Sequence, residues 1–361
     1  MNPGAVRLSR LLLVAAALGA VMLPRPAAAL PADSTARPLT LAVLGHVRGD
    51  REPGLNPLFV EELEQLRRLK PDAVLLTGDI IWGDYDHSPA DSATIEQEWE
   101  QVDSALATLR LPVYRIPGNH DWHDQVTYRA WLRRYGPLPR AVTIGRVRLL
   151  LVSTMPVPSA DTSRRVYTHR SLDSTQVRFL RSELADTVAY DHAFVLLHHL
   201  LWWAPDSAAW WREVHPFLAP GRVAAVFSGD LGPLKYSHLE RNGVHYYQSA
   251  VENQPGVLML QRSPTARLIS AQLDNFLLVT IAGQEVRVDV HTVGAASSGR
   301  FTPAVHREVY ETPMSWEVRK KQLQEALGSL RLAALGSAMA LCAAFLLGRL
   351  WQRRRSRRGG A

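Results

Sequence analysis

Six short apolar runs, at residues 39–44, 73–76, 113–116, 147–152, 193–197 and 223–227, limit what this chain can fold into. They are rich in Val and Leu and almost free of charge, the pattern of strands buried on both faces. Between them lie segments with apolar residues at helical spacing. Residues 57–69 carry Leu58, Val60, Leu63, Leu66 and Leu69; residues 91–109 carry Ile95, Trp99, Val102, Leu106 and Leu109; residues 171–184 carry Leu172, Val177, Leu180 and Leu184. Strands alternating with helices imply an α/β layered fold. After Asp230 the pattern changes. Runs at 236–239 and 244–248 flank Glu240-Arg241-Asn242-Gly243, and runs at 277–281 and 286–290 flank Ala282-Gly283-Gln284-Glu285. Both read as antiparallel hairpins. Residues 156–165 read as an exposed loop.

The residues at the end of each run carry the chemistry. The first run ends at Gly45-His46, the second at Thr77-Gly78-Asp79 and the third at Pro117-Gly118-Asn119-His120-Asp121. The fifth ends at His198-His199 and the sixth at Ser228-Gly229-Asp230. Ligands of layered α/β sheets bind at the carboxyl ends of the strands. Five runs thus deliver carboxylates, imidazoles and an amide to one edge, donor types that suit divalent Mn, Fe or Zn.

The two ends of the chain read differently. Residues 1–29 have a basic start, a short uncharged run and Ala27-Ala28-Ala29, the pattern of a secretory signal peptide. Residues 30–38 form a linker, and residues 39–312 the main domain. Residues 313–331 read as a juxtamembrane helix, 332–350 as a transmembrane helix and 351–361 as a basic cytoplasmic tail, so the domain is expected to be exported and anchored. Of the net charge of +7, three arginines precede residue 30 and six lie from Arg349 onward, with no acid in either stretch. The body carries −2, so the basic balance reports topology, and no nucleic-acid partner is expected. The one cysteine, Cys342, lies in the proposed span, leaving the body without a disulfide or thiolate site.

Gly78-Asp79 followed by Gly118-Asn119-His120-Asp121, with His198-His199 after a Val-Leu-Leu run, resembles the motifs of the calcineurin-like metallophosphoesterases over roughly residues 39–292. The resemblance implies a layered fold with central β-sheets flanked by helices, here with a C-terminal transmembrane helix added. It implies that Asp79 bridges two metals, that Asn119 binds one through its amide oxygen and that His198 is a ligand of the same ion, with His199 as the alternative. His120 would stabilise or protonate the leaving oxygen, and Asp121 would orient His120. Two cations clamping a phosphate about 3.5–4 Å apart activate water for in-line attack.

Two motifs depart from the family pattern. Where it has Asp-x-His this chain reads Leu44-Gly45-His46, and where it has Gly-His-x-His this chain reads Gly229-Asp230-Leu231-Gly232. His46 and Asp230 are retained as metal-ligand candidates. Three readings stay open: one strong and one weak ion with catalysis kept; replacement ligands from Asp50, Asp84, Asp86 or His238; or a catalytically silent binding or scaffolding domain. Arg48 is the candidate to grip a phosphate oxygen. Trp202, Trp203, Trp210 and Trp211 either wall an amphiphilic phosphoester substrate, face the membrane interface or pack locally.

Overall fold

The computed structural model describes residues 37–51, 54–160, 172–202, 207–231, 235–252, 267–271, 273–294 and 299–301. The proposed signal peptide, juxtamembrane helix, membrane span and basic tail lie outside the described residues, as do Trp203 and Gly232. Among the described residues no helix is long and apolar enough to cross a membrane.

The strands are β1 (Leu39–Leu44), β2 (Ala73–Thr77), β3 (Val113–Ile116), β4 (Arg140–Ile144), β5 (Val147–Leu151), β6 (His192–Leu196), β7 (Val223–Ser228), β8 (Tyr236–Arg241), β9 (Val244–Ser249), β10 (Arg267–Ala271), β11 (Asn275–Ala282), β12 (Glu285–Thr292) and β13 (Gly299–Phe301). The helices are α1 (Pro57–Leu69), α2 (Ser92–Ala107), α3 (Gln125–Tyr135), α4 (Ser174–Glu183) and α5 (His215–Leu218), the last preceded by a π-helical turn at Trp210–Val214. All six apolar runs are strands, and both hairpins form. The segment at 57–69 is helical over those same residues.

The strands form two sheets, ordered β13-β12-β11-β1-β2-β3 and β10-β8-β9-β7-β6-β5-β4. β1, β2 and β3 run parallel, as do β5, β6, β7 and β9. Alternation sorts each strand's side chains between layers. Leu41 and Val43 join Leu75, Phe194, Leu196 and Phe227 in an apolar layer shared by both sheets. Ala42 and Leu44 face the other way, into a layer with Phe59 and Leu63 of α1 and Trp99 of α2. On the second sheet Leu150, Val195 and Val226 pack with Leu180 of α4 and Val214. The result is helix, sheet, sheet, helix, with both sheets buried on two faces.

This layering decides two expectations. Leu44 occupies the position where the family motif has an acid, and it is fully buried in the α1–α2 layer. Trp202 and Trp210 are each 3% exposed and pack on Tyr246, with ring centroids 5.1 and 6.1 Å away. These two tryptophans are core, and neither walls a substrate or faces a membrane.

Helix starts follow local chemistry. Asn56 accepts from the Leu58 amide with Pro57 in the first turn, and Asp124 forms a capping box with Thr127. At the edge where the strand-end polar residues gather, the sheets approach so closely that side chains are excluded. A Cβ on Gly45 would meet the Ser249 carbonyl and, at 2.5 Å, the Gly229 Cα; one on Gly229 would sit 2.5 Å from the Thr77 carbonyl. Gly45→Ala is therefore expected to force the sheets apart at this edge. The cost should be at least about 1–3 kcal/mol, the usual penalty of overpacking, read as a lowered denaturant midpoint with the slope unchanged.

Candidate metal centre

Asp79 stands at the end of β2 with φ of +52°, a left-handed conformation that a side-chain-bearing residue adopts only when its surroundings demand it. His46, at the end of β1, has φ of +53°. Two backbone bonds impose this geometry: the His46 amide donates to the Gly78 carbonyl (3.1 Å) and the Arg48 amide to the Asp79 carbonyl (2.9 Å). The Asp79 carboxylate is thereby buried, 2% exposed, between the ends of both sheets.

The two oxygens of Asp79 face different company. Oδ1 accepts from the His120 amide (3.0 Å) and lies 3.3 Å from His198 Nε2. Oδ2 lies 3.5 Å from His46 Nε2 and 3.9 Å from Arg48 Nε. Burial works to raise the pKa of Asp79, but the imidazoles of His198, His120 and His46 outweigh it and hold the carboxyl below the usual range.

His198 is fully buried. Its Nδ1 bonds the Thr77 carbonyl at 2.8 Å, which leaves Nε2 aimed between Asp79 Oδ1 and Asp230 Oδ1, 3.8 Å away. That Nε2 has no hydrogen-bond partner. Burial disfavours a charged His198, yet the Asp79 and Asp230 carboxylates raise its pKa, so the position calls for positive charge. Asp230, set by its amide donating to the His198 carbonyl (3.0 Å), is pushed up to about 6 by burial. His199 completes the group: donor atoms of His198, His199 and Asp230 lie within 4.8 Å of one another. Asn119 Oδ1 lies 3.2 Å from His199 Nε2, and Thr154 Oγ1 is 2.5 Å from His199 Nδ1. This set fits a divalent cation on the Oδ1 side of Asp79. A backbone carbonyl fixes the ligand tautomer of His198, and carboxylates and imidazoles converge where cationic charge is lacking.

His46 is built the same way. The Val251 carbonyl holds its Nδ1 at 3.1 Å, turning Nε2 to Asp79, and burial lowers its pKa to about 3. The chain around Val251 is itself pinned. The Glu252 amide donates to Asp274 Oδ1 (2.6 Å), and buried Lys235 bonds both Asp274 oxygens and the Glu252 carbonyl. No local sequence signal marks Lys235 and Asp274, because they meet only through tertiary folding.

The structure gives His120 and Asp121 separate surroundings. His120 Nδ1 bonds the Trp82 carbonyl at 2.8 Å, and the ring stacks on Tyr85 with centroids 4.0 Å apart. Burial lowers its pKa to about 4. Asp121, expected to orient His120, instead accepts from the amides of Ile80 (2.8 Å), Ile81 (3.0 Å) and Gly118 (2.8 Å). It ties the β2 turn to the β3 turn, and Trp82 orients His120. Burial, with the Asp79 charge, pushes Asp121 up to about 7.

The proposed replacement ligands are engaged elsewhere or turned outward. Asp84 bonds His87 (2.6 Å) and the Asp91 amide (2.7 Å), and Asp86 pairs with Arg51 (2.7 Å). His238 faces His245 (2.9 Å) and stacks on Tyr247. Asp50 is exposed. None of the four joins the donor group around Asp79.

Removing a ligand from this group tests the assignment. Groups that merely hydrogen-bond to a metal ligand are worth roughly 10–100-fold in metal affinity. Asp230→Ala and His198→Ala are therefore expected to lose at least that much, measured by titration with Mn2+ or Zn2+. Unchanged affinity in Asp230→Ala would assign that carboxylate to the turn alone.

The chain is similar in fold to GAP50, the anchor in the inner membrane complex of Plasmodium, with a TM-score of 0.51 and 12% identity over 73% of this chain and 88% of that one. A dimetal phosphatase from Danio rerio matches with a TM-score of 0.47 and 14% identity, over 73% of this chain and 98% of that one. No protein of curated function matches. The calcineurin-like phosphoesterase profile matches residues 46–232, from the His46 end of β1 through Asp230. The chain belongs to the calcineurin-like phosphoesterase family.

Proposed function

We propose that this chain is a metal-dependent phosphoesterase, exported and held to a membrane by its C-terminal segment, that hydrolyses a phosphomonoester or phosphodiester. The observation that carries the reading is the Nε2 of fully buried His198, which makes no hydrogen bond and faces the carboxylates of Asp79 (3.3 Å) and Asp230 (3.8 Å). A domain folded only for docking has no need of such a group, which is costly to leave unsatisfied.

Asp79, His198, His199 and Asp230, with Asn119 beside His199, would hold a divalent ion, which would supply Lewis-acid polarisation of the phosphoryl group and an acidified water. The remaining work falls to the chain's own side chains. Arg48 offers a guanidinium to a phosphoryl oxygen. His120 enters as a neutral imidazole at neutral pH, since burial lowers its pKa to about 4. Its Nδ1 is committed to the Trp82 carbonyl, so protonation occurs at Nε2. A phosphate anion bound beside it raises its pKa, and the proton gained there passes to the leaving oxygen. Asp121 keeps the two loops that carry Asp79 and His120 in register through its three backbone bonds.

The alternative is a catalytically silent family member, favoured by the burial of Leu44 in the apolar layer where the family motif has an acid. Turnover separates the two. Asp79→Asn is expected to abolish metal retention and hydrolysis together. His120→Ala should keep the metal and lower kcat by about 10²–10⁴-fold, the usual worth of general acid–base catalysis. Its deficit should be smaller on an aryl ester, whose leaving group needs no proton, than on an alkyl ester. Metal-loaded protein inert toward a broad panel of mono- and diesters would establish the silent reading. Anchoring has its own test: a chain ending before residue 332 should move from the membrane to the soluble fraction on cell fractionation, and membrane retention would place the anchor elsewhere.

A further inference from the structure

The two sides of Asp79 are not equivalent. On the Oδ1 side stand His198, His199 and Asp230, three side chains with donor atoms within 4.8 Å of one another. On the Oδ2 side the side chains described are His46, with Nε2 at 3.5 Å, and Arg48, with Nε at 3.9 Å. The acid that would have joined them is Leu44, turned into the α1–α2 core. An imidazole and one shared carboxylate oxygen are two ligands, short of what a tightly held divalent ion needs.

Arg48 is not a surface arginine. Its side chain is 13% exposed. Its carbon Cζ lies 4.8 Å from the centroid of the Trp82 ring, its Nη1 donates to the Gly49 carbonyl (3.0 Å), and its backbone amide is tied to the Asp79 carbonyl. Its Nε–H is buried without a hydrogen-bond partner. Ring, carbonyl and strand end together hold the guanidinium beside Asp79 Oδ2 with its buried Nε–H unspent. A guanidinium stays charged at any working pH and presents its donors in a planar fork that matches a phosphoryl group.

We propose that Arg48 is the second cation of this centre: one divalent ion binds on the Oδ1 side of Asp79, and the Arg48 guanidinium holds the Oδ2 side and receives a phosphoryl oxygen there. This rests on the phosphoester reading of the site. It explains how the centre does without the Asp-x-His acid while the buried Asp79 carboxylate keeps a cationic neighbour on each side. It also accounts for the position of Trp82 at contact distance from both Arg48 and His120, because one indole then aligns the charge that grips the phosphate and the imidazole beside the leaving oxygen.

The full chain, loaded with excess Mn2+ and desalted, should retain one ion by elemental analysis, with the six-line signal of an isolated Mn2+ in electron paramagnetic resonance. Inorganic phosphate binding to this loaded protein, measured by calorimetry, should weaken at least about tenfold in Arg48→Ala while the single ion stays. Arg48→Lys, which keeps the charge and loses the fork, should fall between the two and guards against a folding artefact, with thermal melts as the check. Two retained ions with a spin-coupled signal, no retained ion, or phosphate affinity unchanged in Arg48→Ala would each overturn the proposal. The outcomes separate it from the hydrolase reading. One ion with Arg48-dependent phosphate binding and no turnover keeps this inference and removes the enzyme, whereas hydrolysis with two ions does the reverse.

Discussion

The buried carboxylate of Asp79 is the interaction on which the rest of the centre depends. A carboxylate 2% exposed is costly unless charge and hydrogen bonds converge on it. Here they converge from both sheets. His46 and the His120 amide come from the first, His198 from the second. The sheets can supply them only by closing to backbone contact at Gly45 and Gly229, where any side chain would collide. Tight packing of the apolar layer between the sheets and the electrostatics of Asp79 are therefore one constraint, satisfied by the same close approach.

That constraint gives the centre its asymmetry. Three imidazoles around Asp79 each have Nδ1 held by a backbone carbonyl: Thr77 for His198, Val251 for His46, Trp82 for His120. For these rings the main chain, more than neighbouring side chains, sets which nitrogen faces the site. Donors then accumulate on the Oδ1 side, where Asp230 and His199 join His198, while the Oδ2 side meets a guanidinium and an imidazole. A leucine in place of an acid at position 44 is consistent with this division. Leu44 packs with Phe59 and Leu63, adding apolar burial to the α1 layer on the side of the centre that holds fewer ligands.

Much of the fold was legible because buried strands and amphipathic helices write their periods directly into the chain. The six runs, helix α1 and the two hairpins lie within a residue or two of their structural bounds. Helix α3 was missed because its arginines, Arg129, Arg133 and Arg134, hide the apolar set of Val126, Ala130 and Trp131. Its capping box at Asp124 and Thr127 was a readable signal. The short edge strand β4 was missed because its residues are only half-buried and carry no clean alternation. Local packing, one of the readings open for the tryptophans, holds for Trp202 and Trp210, though the sequence shows only that the two are close together, not that Tyr246 closes over them.

Most of the buried strands and the polar residues at their ends were determined by the sequence alone, since apolar runs must be buried and the residues after them must turn. Those two facts already placed His46, Asp79, Asn119, His120, His198 and Asp230 at one edge. Only the tertiary structure decided what each does there. Asp121 holds backbone amides and not His120; Trp82 and Val251 orient imidazoles through their carbonyls; Asp50, Asp84, Asp86 and His238 stay outside the donor group. Roles of this kind depend on distances of about 3–4 Å, the range of hydrogen bonds and ion pairs, between residues as far apart in the chain as His46 and Val251. Such distances follow from how two sheets dock, and no local pattern in the chain encodes them.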